Sequence, residues 1–239
     1  LVFFNKKCKS NEPFIKFTLH WFYLMQKYVS EFLGTFILLM SIVGSGIAGQ
    51  QYTDDQMVIL FSHAVVIGFT LIFLIRMFAT YSGAHFNPIV SLLFFFKGEL
   101  STKDLAIYII IQCLAAILGT MFANFLFGLD MIEISSNIRS GNNIYISEIF
   151  ATFGLLMVIL LSRADGKNIV AFNVGIYICA ALIFTSSTSF ANPAVTIARM
   201  LTESFTGIHP STILFFIGSQ ALGLGIAYTV YMQVFEKKS

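Results

Sequence analysis

Charge is what this chain of 239 residues has least of: Asp, Glu, Lys and Arg make up 11% of it, well under half the share of an ordinary soluble domain. The formal net charge is only +2, which makes no case for nucleic-acid binding. Cysteine is almost absent. Cys8, Cys113 and Cys179 are an odd number without ligand spacing, so they form neither a disulfide framework nor a thiolate metal site, and the last two, in apolar segments, read as small buried hydrophobes. His20, His63, His85 and His209 are scattered. With no Ser/His/Asp grouping, phosphate-binding loop or metal-ligand cluster, the sequence offers no catalytic residues, no metal site and no cofactor, and an enzyme is not expected. The first 27 residues also lack the long apolar run and small-residue cleavage site of a secretory signal.

What the chain does have is hydrophobic length. It is 57% hydrophobic and carries 27 Phe, and six apolar runs are near the 20 or so residues that cross a bilayer. They cover residues 28–49, 57–79, 104–127, 145–162, 169–187 and 211–233. This predicts an all-α, multi-pass membrane protein whose first partner is the lipid bilayer and whose aromatic excess faces lipid. Residues 1–27 read as a basic, irregular N-terminal tail with Lys6, Lys7, Lys9, Lys16 and Lys27. Met25 stands just before the first run, so residues 1–24 are either upstream of a start at Met25 or a loose native tail. Residues 28–239 form one domain.

Two connections contain apolar segments too short to span. Each opens on Asn-Pro: Asn87-Pro88-Ile89-Val90 and Asn192-Pro193-Ala194-Val195. Proline suits the first turn of a helix and a preceding Asn suits its cap, so a helix is expected to begin at each step, within the membrane. Both follow the second long run of their half. Glu31 with Thr35 is matched by Glu148 with Thr152, and Gln112 by Gln220. Residues 28–127 and 145–233 are therefore an internal repeat. Three spanning helices separate equivalent points, so the second copy enters from the opposite side, as in inverted-repeat carriers and pores.

Basic residues set the orientation. With the N-terminus cytoplasmic, Lys27, Arg76, Lys97, Lys103, Arg163, Lys167, Lys237 and Lys238 lie inside together with the tail lysines, and only Arg139 and Arg199 lie outside. Both termini are accordingly expected in the cytoplasm.

The run Ser82-Gly-Ala-His-Phe-Asn-Pro88, the second Asn-Pro-Ala box, the Glu-x-x-x-Thr repeats and the paired glutamines resemble the major intrinsic proteins, the aquaporins and aquaglyceroporins. The resemblance covers residues 27–233. It implies six transmembrane helices, two re-entrant half-helices meeting at Asn87-Pro88 and Asn192-Pro193, one pore per subunit and a homotetramer. The half-helix N-termini carry unsatisfied N–H groups and partial positive charge, and Asn87 and Asn192 offer amide donors to a neutral, oxygen-bearing solute. Ile89 stands where alanine is usual in the family. His85 has a family counterpart that shapes the cytoplasmic half of the pore.

Counting from the Asn-Pro steps, the family's selectivity filter maps to Ile67, Ala180, Ser189 and Val195. Most members have arginine at the last of these. A ring of two aliphatic and two small residues is expected to be wide and poor in hydrogen bonds. It favours passive passage of water, glycerol, similar polyols or neutral metalloid hydroxides such as arsenite over a strict water filter, and the Asn-Pro-Ala-Val arrangement resembles a bacterial branch associated with arsenic resistance. Arg199 lies four residues beyond Val195, about 6 Å farther outward at about 1.5 Å per residue. It either lines the outer vestibule as a cationic barrier or binds loop carbonyls. Glu31 and Glu148, the acids at membrane depth, read as structural supports of the half-helices. Two alternatives are a water-selective aquaporin and a proton-coupled carrier that uses those two carboxylates.

Overall fold

The computed structural model describes residues 13–236, with side chains from Trp21. Cys8, Lys6, Lys7, Lys9, Lys237 and Lys238 lie outside the described residues, as do the side chains of Lys16 and His20. Eight α-helices follow in order: α1 (Pro13–Tyr52), α2 (Gln56–Ser82), α3 (Pro88–Phe96), α4 (Thr102–Leu126), α5 (Asn142–Ser162), α6 (Lys167–Phe184), α7 (Pro193–Ala198) and α8 (Ile213–Val230). Six of them are long and apolar enough to cross a membrane, and α3 and α7 are the short ones. The expected irregular tail is corrected in part. From Pro13 onward it is helix continuous with the first span, because proline fits the first turn and no Gly or Pro interrupts the next twenty residues.

The packing repeats between the halves. Helix α1 packs on α2 and α4 as α5 packs on α6 and α8, and α2 against α6 joins the two sets. Of the short helices, α7 packs mainly onto α4 in the other half, and α3 packs on both α4 and α8. At the α2–α6 junction glycine is needed for close approach. A Cβ on Gly68 would stand 2.9 Å from the Gly175 carbonyl oxygen, and one on Gly175 would stand 2.5 Å from the Gly68 oxygen. The outer surface is rich in exposed Phe, Ile and Leu, including Phe69, Phe125, Phe150 and Leu214. That surface suits lipid, where no hydrophobic cost attaches to it.

A short helix can begin at membrane depth only if the chain leading to it finds hydrogen-bond partners. Those partners are the two buried glutamates. Glu31 accepts from the N–H groups of His85 (2.9 Å) and Phe86 (2.8 Å), and Glu148 from those of Phe190 (3.2 Å) and Ala191 (2.6 Å). Gln112 donates to Glu31 at 2.9 Å and Gln220 to Glu148 at 2.7 Å; the same amides reach Ser91 on α3 and Thr196 on α7. The clamped residues are strained. Phe86 (φ 49°) and Ala191 (φ 46°) lie in the left-handed region, which disfavours side chains with a Cβ.

Two substitutions test this framework. Gly175→Leu should force α2 and α6 apart and cost about 1–3 kcal/mol, read as a lowered thermal midpoint in detergent; an unchanged midpoint would remove the close-approach argument. Glu148→Ala should orphan two buried N–H groups at about 1–3 kcal/mol each, whereas Glu148→Gln keeps one acceptor oxygen and should lose markedly less. Equal losses in the two variants would mean that one acceptor oxygen does not preserve the clamp, and no loss in Glu148→Ala would mean that the carboxylate does not hold it.

Candidate functional site

Asn87 and Asn192 cap the two half-helices with their own side chains. Asn87 Oδ1 accepts from the Ile89 N–H at 2.9 Å, and Asn192 Oδ1 accepts from the N–H groups of Ala194 (3.0 Å) and Val195 (3.4 Å). Pro88 and Pro193 occupy the first helical position in each case. Each amide then donates across to the other half: Asn87 Nδ2 to the Ala191 carbonyl at 2.7 Å and Asn192 Nδ2 to the Phe86 carbonyl at 2.8 Å. A side-chain amide has two N–H donors. One from each Asn locks the boxes together, and the other remains for the space that both residues line.

That space is a cavity of about 550 Å³ running from Lys27, Glu99 and Lys167 at one end past the boxes to Arg199 at the other. Its walls are stripes of aliphatic side chains one helical turn apart: Leu38 and Ile42 on α1, Ile67, Leu71 and Ile75 on α2, Leu155 and Ile159 on α5, and Val174, Ile178 and Leu182 on α6. His85 lines the wall between the boxes and Lys27 and is also braced within it. Its ring stacks on Phe94 with centroids 4.7 Å apart, and Nδ1 pairs with the Ser91 hydroxyl at 3.1 Å. Ile89, 2% exposed, is packed in the core without displacing Asn87. His63 faces away from the cavity lining, hydrogen-bonded to Ser45 at 2.8 Å and edge-on to Phe205.

Of the four expected filter positions, Ile67, Ser189 and Val195 line the cavity, and Ala180 does not. Ala180 is exposed on the outer face of α6, between Ile176 and Ile183. The count back from Asn192 assumed a fixed length for the segment joining α6 to the second box. An offset of two residues turns a helix position by about 200°, so Leu182, buried to 2% exposure, takes the inward place. The cavity wall thus includes Ile67, Leu182, Ser189 and Val195. This set is more aliphatic than the sequence reading, with the Ser189 hydroxyl its one polar side chain, lacking a partner among the described residues.

Arg199 both binds a loop carbonyl and lines the cavity. Its Nε donates to the Thr206 carbonyl, and the residue, 3% exposed, also lines the cavity with its guanidinium carbon 3.5 Å from the centre of the Phe190 ring. A second arginine joins it. Arg139, in the connection between α4 and α5, donates to the carbonyls of Gly207 (2.9 Å) and Phe205 (2.8 Å) and lies 5.4 Å from the same Phe190 ring centre. Burial lowers its pKa to about 10, which leaves it charged at neutral pH. Sequence reading counted Arg139 only as an outside charge, because no spacing ties the connection to the second box. The connection is held there by backbone pairing: Glu133 and Ser135 donate to the carbonyls of Leu201 and Met200, and His209 donates to that of Asn137.

With this geometry in view, the relatives are informative. The chain matches the family described as Major intrinsic protein over residues 18–190. It is 41% identical over 202 residues to aquaglyceroporin AqpS of Rhizobium meliloti (strain 1021), covering 84% of this chain and 87% of the relative. It is 31% identical over 154 residues to aquaporin NIP1-1 of Arabidopsis thaliana, covering 61% and 51%. In fold it is similar to the X-ray structure of the aquaglyceroporin from Plasmodium falciparum, with a TM-score of 0.70 at 22% identity over 89% of this chain and 96% of the other. The paired Asn-Pro caps, the repeated carboxylate clamps and these matches lead to one assignment: the chain is a multi-pass integral membrane protein of the major intrinsic protein family.

Proposed function

We propose that the chain is a passive channel for small uncharged solutes, water and glycerol first among them, and that it excludes protons and ions. The observation that carries this reading is the aliphatic cavity, interrupted at its middle by Asn87 and Asn192 and bounded outside by a ring that has Val195 in place of arginine. A solute crossing it meets amide donors at the centre and few other side-chain hydrogen bonds before the outer arginines. That pattern matches a carbon backbone bearing hydroxyl groups, because its apolar side contacts the wall while its oxygens meet Asn87 and Asn192. Neutral metalloid hydroxides such as arsenite present the same oxygens and remain candidate solutes. The half-helix N-termini aimed at the centre oppose cations, a device general to aquaporin-type pores and not particular to this chain.

Proton coupling through Glu31 and Glu148 is disfavoured by their bonding. Each carboxylate accepts two backbone N–H bonds and one from a glutamine, so each is committed to holding a box in place. Arg199, beyond the valine, supplies the outer cationic barrier that position 195 lacks. Exposed apolar faces on every spanning helix leave room for the homotetramer expected of the family. The excess of Lys and Arg on one set of connections supports cytoplasmic termini, and the Rhizobium relative supports a bacterial inner membrane.

Stopped-flow swelling of vesicles containing the protein, with water, glycerol and arsenite compared, tests this reading; accumulation of solute against its gradient under ΔpH would overturn it. Val195→Arg should suppress glycerol more than water. Equal suppression would mean plugging, not a change in selectivity. Leu182→Phe should lower glycerol flux severalfold while Ala180→Phe leaves it near the parent value, and the reverse result would restore Ala180 to the filter.

A further inference from the structure

The outer end of the cavity is lined by Arg199, with Arg139 packed beside it against the Phe190 ring, and no carboxylate among the described residues pairs with either. Both guanidiniums lie against Phe190, at 3.5 Å for Arg199 and 5.4 Å for Arg139, and like charges so placed in a poorly screened site repel. The nearby acids are committed elsewhere. Glu203 accepts from the backbone and hydroxyl of Ser136 at 2.5 and 2.6 Å, and Glu148 holds the N–H groups of the second box. Neither arginine has an ion pair among the described residues. Arg139 spends its donors on loop carbonyls, whereas Arg199 uses only Nε, so its two terminal nitrogens have no hydrogen-bond partner among the described residues. The Ser189 hydroxyl on the same wall is also without one.

A buried guanidinium with its terminal donors free, a second positive charge beside it and an unpaired hydroxyl within the same wall match the chemistry of a small oxyanion. The flat guanidinium fork meets two oxygens at once, and charge-assisted bonds of this kind are the strong ones. We propose that the outer mouth is a binding site for a small oxyanion such as inorganic phosphate, held by Arg199 and Ser189 with Arg139 adding charge, and that an anion seated there slows the passage of neutral solutes. The site lies within the bundle and its loops, so the anion comes from solution. It does not travel onward, because the ring beyond it has no donor except Ser189. The proposal depends on the channel reading only for its flux readout.

Two measurements test it. In phosphatidylcholine vesicles containing the protein, replacing potassium chloride with potassium phosphate at equal ionic strength on both sides should cut the glycerol swelling rate by half or more. In Arg199→Gln the ratio of the rates in the two salts should return to one, and in Arg199→Lys, which keeps the charge but loses the fork, the slowing should persist but need more phosphate. Arg139→Gln should also shift the slowing to higher phosphate. No slowing in the parent, or the same slowing in Arg199→Gln, overturns the proposal; if Arg199→Gln does not fold, an unchanged phosphate requirement in Arg199→Lys does so. Equilibrium dialysis of the detergent-solubilised protein against labelled phosphate reads the site without any flux. Saturable binding that chloride competes for only weakly supports the proposal, and its absence overturns it. A parent that fails to pass glycerol in chloride but binds phosphate would defeat the channel reading and leave the anion site standing.

Discussion

The structure depends on a carboxylate that never meets solvent. Lipid cannot hydrogen-bond a peptide group, so a chain that turns back at mid-membrane must bring its own acceptors. Glu31 and Glu148 do this for the turns before α3 and α7, each taking two backbone N–H bonds and being held in turn by a glutamine from the last long helix of its half. The left-handed residues Phe86 and Ala191 are tolerated because these acceptors and the reciprocal Asn bonds over-determine them. The cavity exists because two strained loops, which alone would relax, are clamped from behind and tied to one another.

The arrangement separates two tasks. Hydrogen bonding that supports the fold is directed away from the cavity, into α1, α4, α5 and α8, and the wall facing the solute is left mostly aliphatic. Serine and threonine have a part in this. Ser91 and Thr196 each return a hydroxyl bond to the Asn carbonyl one turn back while accepting from glutamine. The half-helices are therefore stiffened without presenting hydroxyls to the channel, and the polar groups that do face it are few enough to define a route.

Much of this was legible in the sequence because membranes restrict the choices. Six apolar runs, two Asn-Pro steps and the matched Glu and Gln positions are enough for the topology, and Asn87, Asn192, Ile67 and Val195 sit where counting places them. Counting worked wherever the path from the ruler to the residue was regular helix, or was set by the clamp itself. It failed on Ala180, where the path crosses an irregular segment whose length is free to differ, and a helix turns a small offset into the opposite face. Arg139 was illegible for a different reason. Its place comes from a connection paired edge-on to residues about seventy positions later, and no periodicity encodes such docking. The helical extension before residue 28 was missed because its lysines suggested solvent, and solvent does not forbid helix.

The crossed bonds between the boxes also have a consequence in time. The acceptor for the Asn87 amide is 104 residues farther along the chain. At roughly 5–20 residues per second of synthesis, the first box waits about 5–20 s for its partner to leave the ribosome. Throughout that interval α3 is without its counterpart, and the wall formed by α5 and α6 is made only in the later part of it. The first half of the protein therefore enters the membrane as an unfinished object, and its re-entrant loop becomes a channel element only when the second half arrives from the other side and closes it.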